Sequence, residues 1–166
     1  MKIGLISDTH SYLDEQILRH LQGCDEIWHA GDFGLLEVSD RLAAVAPLRG
    51  VYGNIDDKEI RQVHPKVQRF AVAGLDVLMT HIGGYPGKYH PDIRTEIKTN
   101  APQLFISGHS HILKIMPDKN LPSLLHINPG AAGKHGFHQI RTLVKFSVIA
   151  GKIQQLQVVE LGKRIA

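Results

Sequence analysis

Ile3-Gly4-Leu5-Ile6-Ser7-Asp8-Thr9-His10 opens the chain with a short apolar run that turns abruptly polar. Such a run reads as a buried strand, and here it delivers a carboxylate and an imidazole at its carboxyl end. Working outward, residues 14–21 place Ile17, Leu18 and Leu21 at helical spacing behind Asp14, a good N-cap residue. Residues 26–30 (Glu-Ile-Trp-His-Ala) read as a second strand. A second helix over 35–45 stops before Pro47, and a third strand over 48–52 ends at Gly53-Asn54. This β-α-β-α-β alternation predicts a parallel sheet with helices packed on it.

The pattern then changes. Two strands, 67–73 and 75–80, meet across Gly74 as a hairpin, a helix is expected over 92–99, and a strand over 104–107. Residues 113–116 and 124–127 bracket a polar, proline-containing turn. Residues 142–149 and 152–160 alternate apolar and polar positions about Ala150-Gly151, a further hairpin. The expected architecture is α/β, with two sheets face to face and helices outside.

The 166 residues, 43% hydrophobic and 21% charged, suit one globular domain over 1–166 with a substantial core. The net charge of +3 comes from 19 basic and 16 acidic residues spread along the chain, so no strong nucleic-acid binding is expected. Cys24 is the single cysteine, which excludes an internal disulfide and suits a reducing compartment. The apolar run at the start is too short for a signal peptide, and no stretch approaches the ~18 apolar residues of a membrane span. A cytoplasmic location without membrane partners is expected; the oligomeric state is not readable.

What singles out this chain is an ordered series of polar residues behind its strands. Asp8 and His10 follow the first strand, Asp32 the second and Asn54 the third. His81 follows the hairpin, and His109 and His111 a later strand. Each motif alone is weak. In open α/β sheets, however, ligands collect outside the carboxyl ends of the strands, so the series can converge on one crevice. Imidazole mixed with carboxylate and amide oxygen suits manganese, iron, zinc or nickel, and the absence of thiolates excludes a cysteine-based site. A carboxylate shared by two dications holds them roughly 3.5–4 Å apart, the spacing of two-metal phosphoester hydrolysis. With neutral imidazoles such a centre keeps a small positive excess and attracts a phosphate.

In this order, Asp8-x-His10, Gly31-Asp32, Gly53-Asn54, His81 and Gly108-His109-Ser110-His111 resemble the calcineurin-like metallophosphoesterase superfamily, and within it the small YfcE-type phosphodiesterases. The resemblance runs on to Ile127-Asn128-Pro129-Gly130. It implies a four-layer αββα sandwich of two mixed sheets flanked by helices, with two divalent metal ions. Asp8, His10, Asp32 and His111 would hold the first; bridging Asp32, Asn54, His81 and His109 the second, with Asp32, Asn54 and His81 also serving catalysis. Manganese is the metal the family suggests. The implied reaction is hydrolysis of a small phosphodiester by in-line attack of a metal-bound hydroxide.

Two departures from the family pattern carry consequences. Many relatives place a histidine after the Gly-Asn asparagine, where it can protonate the leaving group; here Ile55 stands there. General-acid help is worth roughly 10²–10⁴-fold, so esters with poor leaving groups should react slowly. Ala131-Ala132 also follow Asn128-Pro129-Gly130 where relatives often carry serine. Among the other histidines, His29, His64, His90 and His126 are expected to be structural or superficial. His135 and His138 are assigned to an exposed loop rather than to phosphate contact, and Cys24 to a minor core position. Two other functions compete. One is a non-catalytic scaffold like the superfamily's retromer subunit, which has lost a metal-site histidine that this chain keeps. The other is a nuclease, for which neither cap nor basic groove is evident.

Overall fold

The computed structural model describes residues 1–165 and holds two five-stranded mixed sheets. The first contains β1 (Lys2–Ile6), β2 (Glu26–His29) and β3 (Leu48–Gly50), joined by α1 (Glu15–Leu21) and α2 (Leu36–Ala43). These three strands are parallel, as the alternation predicts. The short α3 (Lys58–Val63) then leads into the second sheet. There β4 (Val67–Val72) and β5 (Leu75–Thr80) form the expected hairpin across Ala73-Gly74. A two-stranded ribbon follows, β6 (Gly84–Tyr85) with β7 (Lys88–Tyr89), then α4 (Pro91–Thr99), β8 (Leu104–Ile106), β9 (Leu113–Pro117) and β10 (Leu125–Pro129). The second sheet runs β4-β5-β8-β10-β9, with β8 parallel to both its neighbours. The chain returns to the first sheet as β11 (Ile140–Ile149), antiparallel to β1, and closes with β12 (Lys152–Lys163) on its edge.

The two-residue period of each strand sorts its side chains between layers. On one face of the first sheet Ile3, Leu5 and Trp28 meet Val77, Met79, Leu104 and Ile106 of the second, forming the core between the sheets. Ile6 and Ile27, on the opposite face, pack on Ile17, Leu21, Leu42 and Ile60 from α1 to α3. Leu78 and Phe105 point outward from the second sheet onto Ile93 and Ile97 of α4. The result is the expected order of helix, sheet, sheet, helix. Asp14 caps α1 as anticipated, accepting from the Ile17 N–H at 2.9 Å. No helix among the described residues is long and apolar enough to cross a membrane.

Three of the histidines read as structural are buried. The Phe33 ring is sandwiched between His29 and His64, with centroids 3.6 and 4.6 Å away. His126 donates from Nδ1 to the Phe105 carbonyl at 3.0 Å. His90 instead caps α4, its Nδ1 accepting from the Asp92 N–H. Burial pushes the pKa of His29 well below its ordinary 6.5, and those of His64 and His126 to about 4. For His64 and His126 the unfolded chain therefore takes up a proton near pH 6.5 and the folded one only near 4. Their contribution is complete above pH 6.5 and is lost as pH falls between those limits, by about 1.4 kcal/mol per pH unit for each histidine. Urea denaturation of metal-free protein between pH 7.5 and 4.5 should show this slope, and the His64→Gln/His126→Gln variant a shallower one. An equal slope in the two proteins would contradict the assignment.

Candidate metal centre

Every member of the polar series lies just past the carboxyl end of a strand, and the two sheets bring these ends to one edge. Asp8 and His10 follow β1, Asp32 follows β2, and Asn54 follows β3; His81 follows β5, and His109 and His111 follow β8. Hydrogen bonds across the sheets lock the edge. His81 Nδ1, from the second sheet, donates to the Ala30 carbonyl at 2.7 Å in the first. The His109 N–H reaches back 3.1 Å to Asp8 Oδ2, a contact between residues 101 apart in sequence. Glycine makes this closeness possible at two points. A Cβ on Gly31, whose φ is +104°, would lie 2.5 Å from His81 Nδ1, and one on Gly53 would collide with the Asp32 side chain.

The backbone is bent to the same end. Of nine non-glycine residues with left-handed φ among the described residues, six are Asp8, His10, Ser11, Asp32, His109 and His111. Aspartate and histidine tolerate this region better than most residues, yet each instance costs on the order of 1–3 kcal/mol. Strain concentrated on the residues with candidate donor atoms marks the place where geometry outweighs local comfort.

The donor atoms fall into two groups. Asp8, His10 and His111 form one, and Asp32, His81 and His109 the other; within each, one donor atom per residue lies within 4.8 Å of the rest. Asp32 Oδ2 stands between them, 3.3 Å from His10 Nε2 and 3.2 Å from His81 Nε2. Asp8 Oδ1 lies 3.2 Å from His111 Nε2. Asp8 is fully buried; its Oδ2 accepts from Ser7 Oγ at 2.7 Å and from the His109 N–H, while Oδ1 has no hydrogen-bond partner. His10 Nε2 and His81 Nε2 are likewise buried and unpartnered. Three orphaned polar atoms converging on one point fit a cation, because buried donors and acceptors are otherwise paired. Burial pushes the Asp32 pKa upward, but the facing His10 and His81 imidazoles outweigh it and hold the carboxyl well below its ordinary range. Burial and the neighbouring His81 imidazole lower that of His109.

Several supporting residues escape a reading by motif. Asp56 accepts at its buried carboxylate from the Phe33, Gly34 and Gly53 N–H groups, tying the Asp32 loop to the Asn54 loop. His29 accepts from the Gly31 N–H at Nδ1 and so donates from Nε2 to Thr9 Oγ1, which in turn donates to the Phe33 carbonyl. His135 and His138 lie on the exposed loop expected of them, and that loop also touches the cluster. His135, though exposed, stacks on His10 at 4.7 Å. His138 donates from Nε2 to the Gly133 carbonyl at 2.9 Å, which leaves its Nδ1 to accept from His111 Nδ1 at 3.3 Å. That relay assigns the His111 proton to Nδ1 and leaves Nε2 free toward Asp8. The only advance signal was the His-x-x-His pair itself.

A cavity of about 450 Å³ opens over the two groups, lined by His10, Asp32, Asn54, His109 and His111. Asn54 is exposed on its wall, beside Asp32. Ile55 lines the cavity beside it and donates its N–H to Asp32 Oδ1 at 3.1 Å. Its side chain offers no proton. Ile55, Ile112 and the fully exposed Phe137 give the mouth an apolar rim. Ala131 and Ala132 are buried and contribute no substrate-facing group.

Comparison with known proteins agrees with this geometry. A probable metallophosphoesterase of Methanothermobacter thermautotrophicus is 29% identical over 136 residues, covering 79% of this chain and 77% of the relative. Among solved structures, an archaeal phosphodiesterase superposes with a TM-score of 0.76 at 21% identity, over 97% of this chain and 100% of the other. Vps29 of Chaetomium thermophilum does so with a TM-score of 0.74 at 17% identity, over 98% and 99%. Both structural likenesses bear on the fold. Residues 1–151 match the calcineurin-like phosphoesterase superfamily domain, and the chain belongs to that family.

Proposed function

We propose that the protein is a phosphodiesterase that hydrolyses small phosphodiesters with two divalent metal ions. Asp8, His10, Asp32 and His111 would hold one ion, and Asp32, Asn54, His81 and His109 the other. The observation that carries this reading is the position of Asp32 Oδ2, within 3.3 Å of an imidazole nitrogen from each group, where a bridging carboxylate belongs. Nitrogen and oxygen donors without thiolate suit manganese, which we take as the working metal. Bound there, the ions would supply Lewis-acid charge to the phosphoryl oxygens and a nucleophile at neutral pH.

The remaining work falls to the chain. His81, pinned through Nδ1 to Ala30, presents Nε2 in one orientation, and the His138 relay does the same for His111. Asn54 adds a neutral amide, so phosphate meets no extra negative charge. With Ile55 where a proton donor would stand, turnover depends on a leaving group that departs without protonation. This favours activated diesters, and the apolar rim suits their organic arms. A non-catalytic scaffold is the competing reading. It leaves unexplained why strain and orphaned buried donors are kept together at one edge.

Manganese-loaded protein is expected to hydrolyse bis(p-nitrophenyl) phosphate in preference to the monoester p-nitrophenyl phosphate. Asp32→Ala should lose roughly 10²-fold or more of this activity, comparable to removing one strong transition-state contact. Unchanged turnover by Asp32→Ala or by chelator-treated protein would refute the proposal, and a preference for the monoester would refute the role given to Ile55. Calorimetric titration of manganese should show His138→Ala binding about 10–100-fold more weakly than the parent chain. Equal affinity would show that the relay leaves His111 unaffected.

A further inference from the structure

A second cavity, of about 350 Å³, opens on the far side of His109 and Ser110 from the metal centre, which those two residues also line. Its walls come from the β6–β7 ribbon, through Tyr85 and Lys88, and from β9, through Lys114; His126 of β10 lines it as well. Lys114 Nζ lies 3.7 Å from the centre of the Tyr85 ring, which holds the ammonium in place without neutralising it. Lys66, by contrast, pairs with Asp92 at 3.5 Å; among the described residues no such carboxylate partner meets Lys88 or Lys114. Two uncompensated cations therefore share one concave site beside the reaction centre.

Two neutral groups sharpen the chemistry. Ser110 Oγ accepts from Asn128 Nδ2 at 3.1 Å and from the Ile112 N–H at 3.2 Å, so its own proton is left to donate outward. Ser110 lines both cavities, so that donor stands between them. His126 is almost wholly buried and uses Nδ1–H on the Phe105 carbonyl, which leaves Nε2 as an unprotonated acceptor. Cations, a hydroxyl donor and an imidazole acceptor together match a phosphorylated sugar: phosphate for the lysines and Ser110, a sugar hydroxyl for His126. The volume lies at the small end of ligand sites, about 300–1,000 Å³, enough for such an arm and too small for a polymer.

We infer that this cavity binds a second phosphate, carried on a sugar-bearing arm of the substrate, with Lys88 and Lys114 as its counter-charges. The inference rests on the phosphoesterase reading, since it places the substrate's other phosphorus at the metal centre. It narrows the substrate class to phosphodiesters with an additional phosphorylated, hydroxylated arm.

The test compares adenosine 3′,5′-bisphosphate with adenosine 5′-monophosphate as calorimetric ligands of the manganese-loaded protein. The first can occupy both places and the second only one. The bisphosphate should bind at least about tenfold tighter, and this ratio should fall toward one in Lys88→Ala/Lys114→Gln. Glutamine keeps most of the length of Lys114, and a thermal melt of the variant checks that its fold persists. Equal or absent binding of the two ligands to the parent chain overturns the inference, as does a ratio that the double substitution leaves intact. Neither readout requires turnover. A failure to cleave bis(p-nitrophenyl) phosphate would thus count against the diesterase reading alone, and an equal affinity for the two adenosine phosphates against this cavity alone.

Discussion

A carboxylate buried without a counter-charge is the constraint around which the rest of this molecule is arranged. Asp8 sits at the end of the first strand with no solvent access. One of its oxygens is satisfied by Ser7 and the His109 amide, while the other faces only imidazole nitrogens. Removing a charge from water costs several kcal/mol even after relaxation, and an unpaired one is among the more destabilising features a core can hold. The fold tolerates it because Asp8 is fixed by both sheets at once. Its own strand pairs with β2 and β11, and its side chain is bonded to the loop that follows β8. The sandwich thus turns an energetic liability into a rigid socket for positive charge.

The same logic explains where the strain lies. Left-handed backbone at Asp8, His10, Asp32, His109 and His111 turns each residue sharply away from its strand axis. An extended continuation would carry these side chains past the edge rather than across it. Core packing between the sheets, centred on Trp28, Val77, Met79 and Ile106, is extensive enough to hold the bent segments in place. Asp56 adds a local clamp by bonding to backbone amides on both the β2 and β3 loops.

Much of this was legible in the sequence, and the part that was not has a physical reason. The strands of the first sheet announce themselves by apolar runs, and six of the seven candidate donors were locatable as the His or Asp just behind a strand. Asn54 was found as the residue after Gly53. What periodicity cannot give is pairing at long range, such as β1 against β11, or the meeting of two sheets at a common edge. Helix α3 was missed because six residues with a single buried position, Ile60, leave too little period to see. The β6–β7 ribbon has only two residues in each strand. Asp56 carries no signal of its own in the sequence, since its three amide partners come from 3 to 23 residues away.

His138 shows the limit most clearly, and it also separates the two halves of the centre. The group of Asp32, His81 and His109 is built from strand ends, with His81 nearly inaccessible and bonded to the neighbouring sheet's Ala30. Its geometry is therefore a property of the sandwich itself. The group of Asp8, His10 and His111 instead leans on the segment from Gly133 to His138, through one ring stack and one imidazole-to-imidazole hydrogen bond. That segment follows Ala131 and Ala132, precedes β11, and is tied to the end of β1 by the Gly133 N–H on the Asp8 carbonyl at 3.1 Å. In the second group Asp8 keeps its strand-end anchoring, and it is His10 and His111 that lean on a loop whose rim includes the fully exposed Phe137.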